Sequence, residues 1–416
     1  MKTQYSLYVH NSCAGGKLYD TYNTQVVSIL AMALTCFTAL MIPLSGSLPL
    51  AHVMMFFGGL GLGAFGTGAN VWILKMWPRN SSPALQVFHL AFGIGCLAAP
   101  FIARPFLSQG TTSSRNKTVQ MSSTKWNGTD DSPIQPLDYE NATIFDDAPT
   151  DSTIYYAFGI ASAFLLVIVA SMTTLYFIDH TSFNTRRTND VNGATKNTEE
   201  LAEYKRFARI TLAMLCAYVC VYVALESTTS GMLTAFAVEC GLHFSKPLAS
   251  RLVALYFLCF AASRLAAALV SVKVSAFSVS VASHVVLVIT AAVMLAWGSS
   301  SATALWASTA MAGIAQGPLN AAVTAWVAKR INISNKMMSI AVVTGGLGSL
   351  SPPLLVGQFL DSSPNVFIYV SFAAVILSVL LFFAMFLYLR RKPLESENKQ
   401  LIAIVNSDIP EKMPSV

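Results

Sequence analysis

Long apolar runs separated by short polar segments recur along almost the whole chain. Many of the runs reach about 20 residues, the length at which an α-helix crosses about 30 Å of hydrocarbon at 1.5 Å per residue. Because hydrocarbon offers the backbone no hydrogen-bond partner, and the short alternating strands of a barrel are missing from the pattern, every span is predicted to be a helix. The ten predicted spans are residues 24–46, 50–74, 84–106, 154–178, 207–231, 249–272, 275–297, 301–328, 337–360 and 365–389.

The polar segments between the spans differ in charge on the two predicted faces. One face carries the basic residues Lys75, Arg79, Arg186, Arg187, Lys196, Lys205, Arg206, Lys329, Arg330, Lys336, Arg390, Arg391 and Lys392. The positive-inside rule makes this face cytosolic, and the even number of spans puts both termini there. The opposite face has a long acidic loop, 108–153, with N-glycosylation sequons at Asn116, Asn127 and Asn141. These sequons predict a glycosylated external loop.

A polar segment, rich in Asn, Thr and charge, divides the spans into two unequal groups. We expect a cytosolic N-terminal segment at 1–23, a four-span bundle at 24–178, a flexible cytosolic linker at 179–206, a six-span bundle at 207–389 and a cytosolic tail at 390–416. Transporters of the major facilitator type join two six-span halves by such a linker. The division therefore predicts an all-α polytopic bundle of that type whose first half is short of two spans.

Composition narrows the classes of function. Hydrophobic residues make up 54% of the chain and charged residues only 11%, whereas a soluble domain has about 25% charged residues. The net charge of +6 comes from residues between spans, which argues against nucleic acid as a partner and for the lipid bilayer. The GxGxxG match at 61–66 lies inside an apolar run without a preceding strand, so it predicts close helix packing and not a dinucleotide site. No catalytic or metal-ligand cluster stands out, and we predict neither an enzyme nor a cofactor.

Glu226 is the only acidic residue well inside an apolar run. A charge at mid-membrane costs about 2.5 to 3.5 kcal/mol on insertion scales, so this carboxylate is expected to face a wet cavity or a partner. Two interpretations remain open: a substrate or cation ligand, and a structural ion pair with Arg264. Arg264 itself lies about two turns from the cytosolic end of its span, and either a role in the site or snorkelling to the interface fits that position.

Neutral amides supply further candidates for a polar solute. Asn70 follows Gly66 by four residues and Asn320 follows Gln316 by four, so each pair shares one helix face. Amides donate and accept hydrogen bonds without carrying charge, which suits a polyol site in a membrane. Amides that hold neighbouring helices together are the equally common alternative.

Several segments resemble one branch of a known family. The segments are 15–20 (GGKLYD), 67–72 (TGANVW), 83–93 (PALQVFHLAFG) and 222–226 (YVALE), together with 308–326 and 343–357. They resemble the sodium-dependent glucose transporter-like branch of the major facilitator superfamily, distant relatives of bacterial fucose permease. On this resemblance the ten predicted spans would be family spans three to twelve.

The resemblance implies a plasma-membrane transporter of a monosaccharide such as glucose, working by alternating access as a uniporter or with sodium or proton coupling. It also favours His89 as a site residue, although a lone helix histidine is more often simply packed. Gly66 stands where the family commonly has an acidic residue, which makes sodium coupling less expected. A non-transporting membrane protein, acting as a sensor, a scaffold or an inactive form, is the alternative.

Overall fold

The computed structural model of the chain describes residues 18–106, 153–178, 198–360 and 362–390. Within these ranges the fold has ten long α-helices, a short helical segment at 18–21 and one 3-10 turn, Arg104–Phe106, without strands. The helices are α1 Thr24–Leu44, α2 Leu48–Met76, α3 Ser81–Ala103, α4 Ile154–Ile178, α5 Thr198–Glu239, α6 Lys246–Val270, α7 Ala276–Trp297, α8 Ala302–Ala328, α9 Asn335–Phe359 and α10 Val366–Arg390. Each predicted span corresponds to one helix, which confirms the all-α bundle.

Helix α8 is the one described long helix that falls short of the apolarity of a membrane span; the other nine are long and apolar enough. Its 27 residues extend for about 40 Å, but they include Gln316, Asn320 and Thr324. Most of its side chains, from Leu305 to Val327, are buried among other helices. Because little of α8 faces lipid, its polar side chains do not carry the full penalty of exposure to hydrocarbon.

Helix α5 is longer than its predicted span at both ends. It begins at Thr198, inside the range predicted as a flexible linker, and continues to Glu239. Residues 199–206 are rich in Glu, Lys and Arg, which are good helix formers despite their polarity. Hydropathy marks only the part of a helix that crosses the membrane, so it missed both extensions.

Side-chain caps account for several helix starts. Ser275, Ser301 and Ser334 precede α7, α8 and α9, and each Oγ accepts a hydrogen bond from the backbone N–H three residues later, at 3.1 to 3.3 Å. The turn between α1 and α2 contains Gly46 with a φ of 61°, a left-handed conformation that glycine adopts without steric cost.

The linker divides the helices into a first group, α1–α4, and a second group, α5–α10, and glycines let helices approach closely within each group. In the first group α1 packs along α2 and α4, and a Cβ on Gly61 would lie 2.5 Å from the Ala31 carbonyl oxygen. In the second group α5 packs along α9 and α10, and α8 packs along α6 and α7. Gly348 of α9 rests directly on the Cys220 carbonyl of α5. Close backbone contact of this kind is how helices associate when lipid surrounds them.

Helix α3 joins the two groups. It packs mainly along α6 and α8 and makes few contacts with its chain neighbours α2 and α4, while α2 touches α9. At the other extreme, only 6% of the most apolar stretch of α4 is buried, against 44% for α5. Helix α4 therefore faces lipid, and the polar centre of the molecule lies where α3, α5, α6 and α8 meet.

Candidate functional site

The Arg264 guanidinium is the only charged group among the buried side chains of the described residues, and it lies between the two helix groups. Only 2% of the residue is exposed. Nε donates to the Gly317 carbonyl oxygen of α8 at 2.8 Å, and Nη1 donates to the His89 carbonyl oxygen of α3 at 2.6 Å. The Phe260 ring lies under the guanidinium, 4.0 Å from its centroid. Snorkelling to the membrane interface, one of the two interpretations of Arg264, is therefore wrong.

A network of two tyrosines and one glutamine lies beside Arg264. Tyr222 of α5 donates its hydroxyl hydrogen to the Gln316 backbone oxygen, and Tyr256 of α6 donates to Gln316 Oε1, both at 2.8 Å. Gln316 Nε2 in turn donates to Thr229 Oγ1 at 3.4 Å. Both ends of the Gln316 amide are thus occupied by protein groups, and the residue is 2% exposed. The network fixes α5, α6 and α8 relative to one another.

Glu226 lies at the edge of this network. Its carboxylate interacts electrostatically with the Tyr222 and Tyr256 hydroxyls and with Cys96 of α3, and the Arg264 guanidinium interacts with the same three groups. The residue is half-buried. Glu226 and Arg264 thus flank one small region, yet no salt bridge joins them in the described part of the chain. The predicted structural ion pair is absent there.

His89 contributes its backbone to this region more clearly than its ring. Its carbonyl oxygen accepts the Arg264 hydrogen bond, while its imidazole is half-buried and packs edge-on against Phe88, with 5.2 Å between ring centroids. One turn away along α3, Gln86 is fully buried and its Nε2 donates to the Pro318 carbonyl oxygen at 2.9 Å. Gln86 Oε1 has no hydrogen-bond partner.

The two predicted asparagines make no hydrogen bond to this cluster. Asn70 Nδ2 donates to the Gly66 carbonyl oxygen of its own helix at 2.7 Å. Asn320 is half-buried on α8, and its amide has no partner within the described ranges. A Cβ on Gly66 would meet nothing within 4 Å, so space is available beside Asn70. The sequons Asn116, Asn127 and Asn141 lie outside the described residues and stay predictions.

Three polar contacts link the two helix groups at the end that carries the basic residues. Ser82 Oγ donates to Ser271 Oγ at 3.2 Å, and Asn335 Nδ2 donates to Asp20 Oδ1 at 3.0 Å. The Gln86 contact with the Pro318 carbonyl lies one turn further into the bundle. Further along α3 the two groups also approach closely at Gly93, where a Cβ would lie 3.3 Å from that of Ala261. Beyond it, a Cβ on Gly95 would meet nothing within 4 Å.

Sequence reasoning missed Gln86, Tyr256 and the hydroxyl of Tyr222 as members of the site. It also missed the buried His284. The His284 Nδ1 donates to the Ser280 carbonyl oxygen at 2.8 Å, so Nε2 is the acceptor of the Tyr218 hydroxyl hydrogen bond at 3.3 Å. Tyrosines inside apolar runs resemble ordinary core residues, so only the folded arrangement reveals their partners. The four-residue spacing of Ser82 and Gln86 was the one available signal for a polar face on α3.

The cluster offers one carboxylate, two phenol hydroxyls and one guanidinium within a membrane-embedded region. Such groups bind a neutral polar solute or a single cation through directed hydrogen bonds. Among the described residues, no group of three or more His, Cys, Asp or Glu side chains is placed to hold a metal ion.

Comparisons with known proteins agree with this architecture. A sequence model of the Major Facilitator Superfamily matches residues 214–409. The chain is 23% identical to sodium-dependent glucose transporter 1A of Mus musculus, over 95% of this chain and 88% of the relative. It is 24% identical to sodium-dependent glucose transporter 1 of Homo sapiens, over 94% of this chain and 72% of the relative. The crystal structure of FucP, a superfamily transporter in the outward conformation, superposes with a TM-score of 0.67 at 16% identity, covering 94% of this chain and 88% of that one.

Proposed function

We propose that the chain is a member of the major facilitator superfamily, in the branch related to the sodium-dependent glucose transporters and fucose permease, and that it transports a monosaccharide across a membrane by alternating access. The observation that carries this proposal is the position of Glu226. This carboxylate, which has no salt bridge among the described residues, lies at the junction of the two helix groups and interacts electrostatically with two tyrosine hydroxyls beside a buried guanidinium. An ionisable group inside a membrane span is energetically costly, so its presence there indicates a functional role.

The distribution of contacts supports an outward-facing resting state. The polar contacts between the helix groups lie between the Ser82–Ser271 pair and Arg264, on the side assigned to the cytosol by its basic residues. Solute would then reach Glu226 from the external side. Rocking of the two groups about this centre would close that route and open the other.

The direct test is uptake of labelled hexoses into proteoliposomes that contain the purified chain. We expect saturable, counterflow-competent uptake of a monosaccharide, measured with no gradient, with a sodium gradient and with a proton gradient. Stimulation by one gradient identifies a symporter of that cation, and uptake that is equal in all three identifies a uniporter. No uptake of any hexose from folded, monodisperse protein would favour the non-transporting alternative, a sensor or scaffold.

Replacement of the carboxylate tests the role of Glu226 in that assay. A hydrogen bond to a charged group is worth about 1.5–3 kcal/mol, so Glu226→Gln should lower uptake by about tenfold to a hundredfold. Glu239→Gln is the matched control, because Glu239 ends the same helix and is exposed; it should transport normally. Equal uptake by both variants would remove Glu226 from the site.

Residence in the plasma membrane and glycosylation at Asn116, Asn127 and Asn141 belong to the same proposal. Removal of the three sequons by Asn→Gln changes should abolish a mass shift caused by glycosidase treatment. A shift that persists would place the glycan elsewhere on the chain.

A further inference from the structure

Arg264 donates hydrogen bonds to both helix groups. Nε donates within its own helix group, to the Gly317 carbonyl oxygen of α8, and Nη1 donates to the His89 carbonyl oxygen of α3 in the opposite group. Both acceptors are backbone oxygens, so neither carries a charge that could pair with the guanidinium. The side chain is buried, and arginine stays protonated under all ordinary conditions.

The two bonds differ in what a rocking motion would do to them. The Gly317 contact lies within one group and can persist while the groups move as rigid bodies. The His89 contact crosses the junction and must break when α3 separates from α6. An aromatic ring, Phe260, holds the guanidinium plane from below, which keeps Nη1 aimed at the junction.

The position of this contact along the bundle is equally informative. The Ser82–Ser271 pair and the Gln86–Pro318 contact lie on its cytosolic side. Cys96 of α3 lies on its other side and interacts electrostatically with Glu226. Among the described residues, the Arg264–His89 bond is therefore the innermost polar contact that closes the junction, next to the candidate site. Gly93 permits the close approach, since Ala261 leaves little space for a larger residue there.

We propose that Arg264 is a positioning residue that latches the cytosolic side of the junction shut by holding the His89 carbonyl. This role rests on the proposed alternating-access motion. The latch acts on the equilibrium between closed and open junctions, which exists whether or not a substrate is bound. Breaking the His89 contact shifts that equilibrium toward the open junction.

A disulfide across the junction reports the closed state. The Ser82 and Ser271 hydroxyl oxygens are 3.2 Å apart, so cysteines at these positions should bond readily when the junction is closed. A protease site placed in 179–197 lets a non-reducing gel distinguish cross-linked from free halves. Each single replacement, Ser82→Cys or Ser271→Cys, controls for the native thiols.

In the double-cysteine chain we expect rapid cross-linking, and Arg264→Met in that chain should slow it by about threefold to tenfold, because the methionine keeps the apolar contact and loses both donors. Arg264→Lys, which can reach one carbonyl at a time, should give an intermediate rate. Arg251→Met is the control, since Arg251 is exposed on the same helix; its rate should be unchanged.

Thermal unfolding in detergent establishes that each variant is folded. A folded Arg264→Met chain that cross-links at the original rate would overturn the latch, as would an equal slowing by Arg251→Met. If Arg264→Met does not fold, Arg264→Lys decides alone: an unchanged rate overturns the proposal and a slower one supports it. Loss of hexose uptake is scored separately, so a failed latch and a failed transport function give different results.

Discussion

Gln316 shows how a residue that is plausible as a solute ligand can instead belong to the frame of the site. Its amide is occupied at both ends, by Tyr256 and Thr229, and its backbone oxygen accepts a third bond from Tyr222. A sugar could bind the Gln316 side chain only by displacing these partners. We infer that Gln316 orders the wall of the site, while Glu226 at the edge of the network is placed to meet solute.

The hydroxyl of Tyr256 provides a test of this frame. Tyr256→Phe leaves the buried Gln316 Oε1 without its donor at 2.8 Å, and an unpaired buried acceptor costs about 1–3 kcal/mol. We expect a lower midpoint of thermal unfolding in detergent. Tyr369→Phe is the control, because Tyr369 is 58% exposed and should unfold with the unsubstituted chain. Identical melting of both variants would show that the network contributes nothing to stability.

The sequence alone identified only some of the residues of the site. The charge of Glu226 and of Arg264 marked both residues, because an ionised group inside an apolar run needs an explanation. Spacing could not reveal that Arg264 would bind two backbone carbonyls, since every helical residue has a carbonyl and none is distinctive in sequence. Gln86 was overlooked for a related reason: its only partner is the Pro318 carbonyl, 232 positions away.

At the scale of elements, glycines of α9 allow its backbone to pack directly against α5. Gly345 of α9 faces Val219 and Val223 of α5, and Gly348 faces the backbone of Cys220. A methyl group at Gly348 would collide with the Cys220 backbone carbonyl, which is fixed by the helical conformation of α5 and cannot rotate away. The glycine-rich run of α9 serves here as a packing surface.

Two glycines of α9 allow a matched comparison. Gly348→Ala should force α5 and α9 apart, at a cost of about 1–3 kcal/mol for overpacking. Gly357→Ala meets nothing within 4 Å and should be neutral or stabilise the helix by about 0.5–1 kcal/mol, because alanine is the better helix former. Thermal unfolding of the two variants in one detergent measures the difference. A Gly348→Ala chain at least as stable as Gly357→Ala would contradict the close packing of these helices.

The existence of the ten helices followed from hydropathy because the physics of a membrane demands apolar length and satisfied backbone. Their order in space did not, and α8 shows why. It is the least apolar of the long described helices, yet it is surrounded by α3, α6 and α7. When the number of spans requires a segment to cross the membrane, low apolarity of that segment indicates that it is buried at the centre of the bundle.

For the whole molecule, the outward-facing state proposed above has the basic end of the junction closed by polar contacts between the helix groups and the opposite end open. Cys96 lies above the Arg264 latch, half-buried and within the electrostatic reach of Glu226. Cys240 follows α5 at the end that the positive-inside rule makes external, and it is only 1% exposed. The two thiols therefore differ in burial.

A membrane-impermeant thiosulfonate reagent should exploit this difference. Added to the external side of sealed vesicles of known orientation, it should modify Cys96 through the open end and leave Cys240 unmodified, as measured by mass spectrometry of the two peptides. The same reagent confined to the cytosolic side should leave Cys96 intact, because the Ser82–Ser271, Gln86–Pro318 and Arg264–His89 contacts lie in its path. Modification of Cys96 from the cytosolic side alone would reverse the assigned conformation or the orientation, and the sidedness of the 179–197 segment toward added protease would distinguish the two.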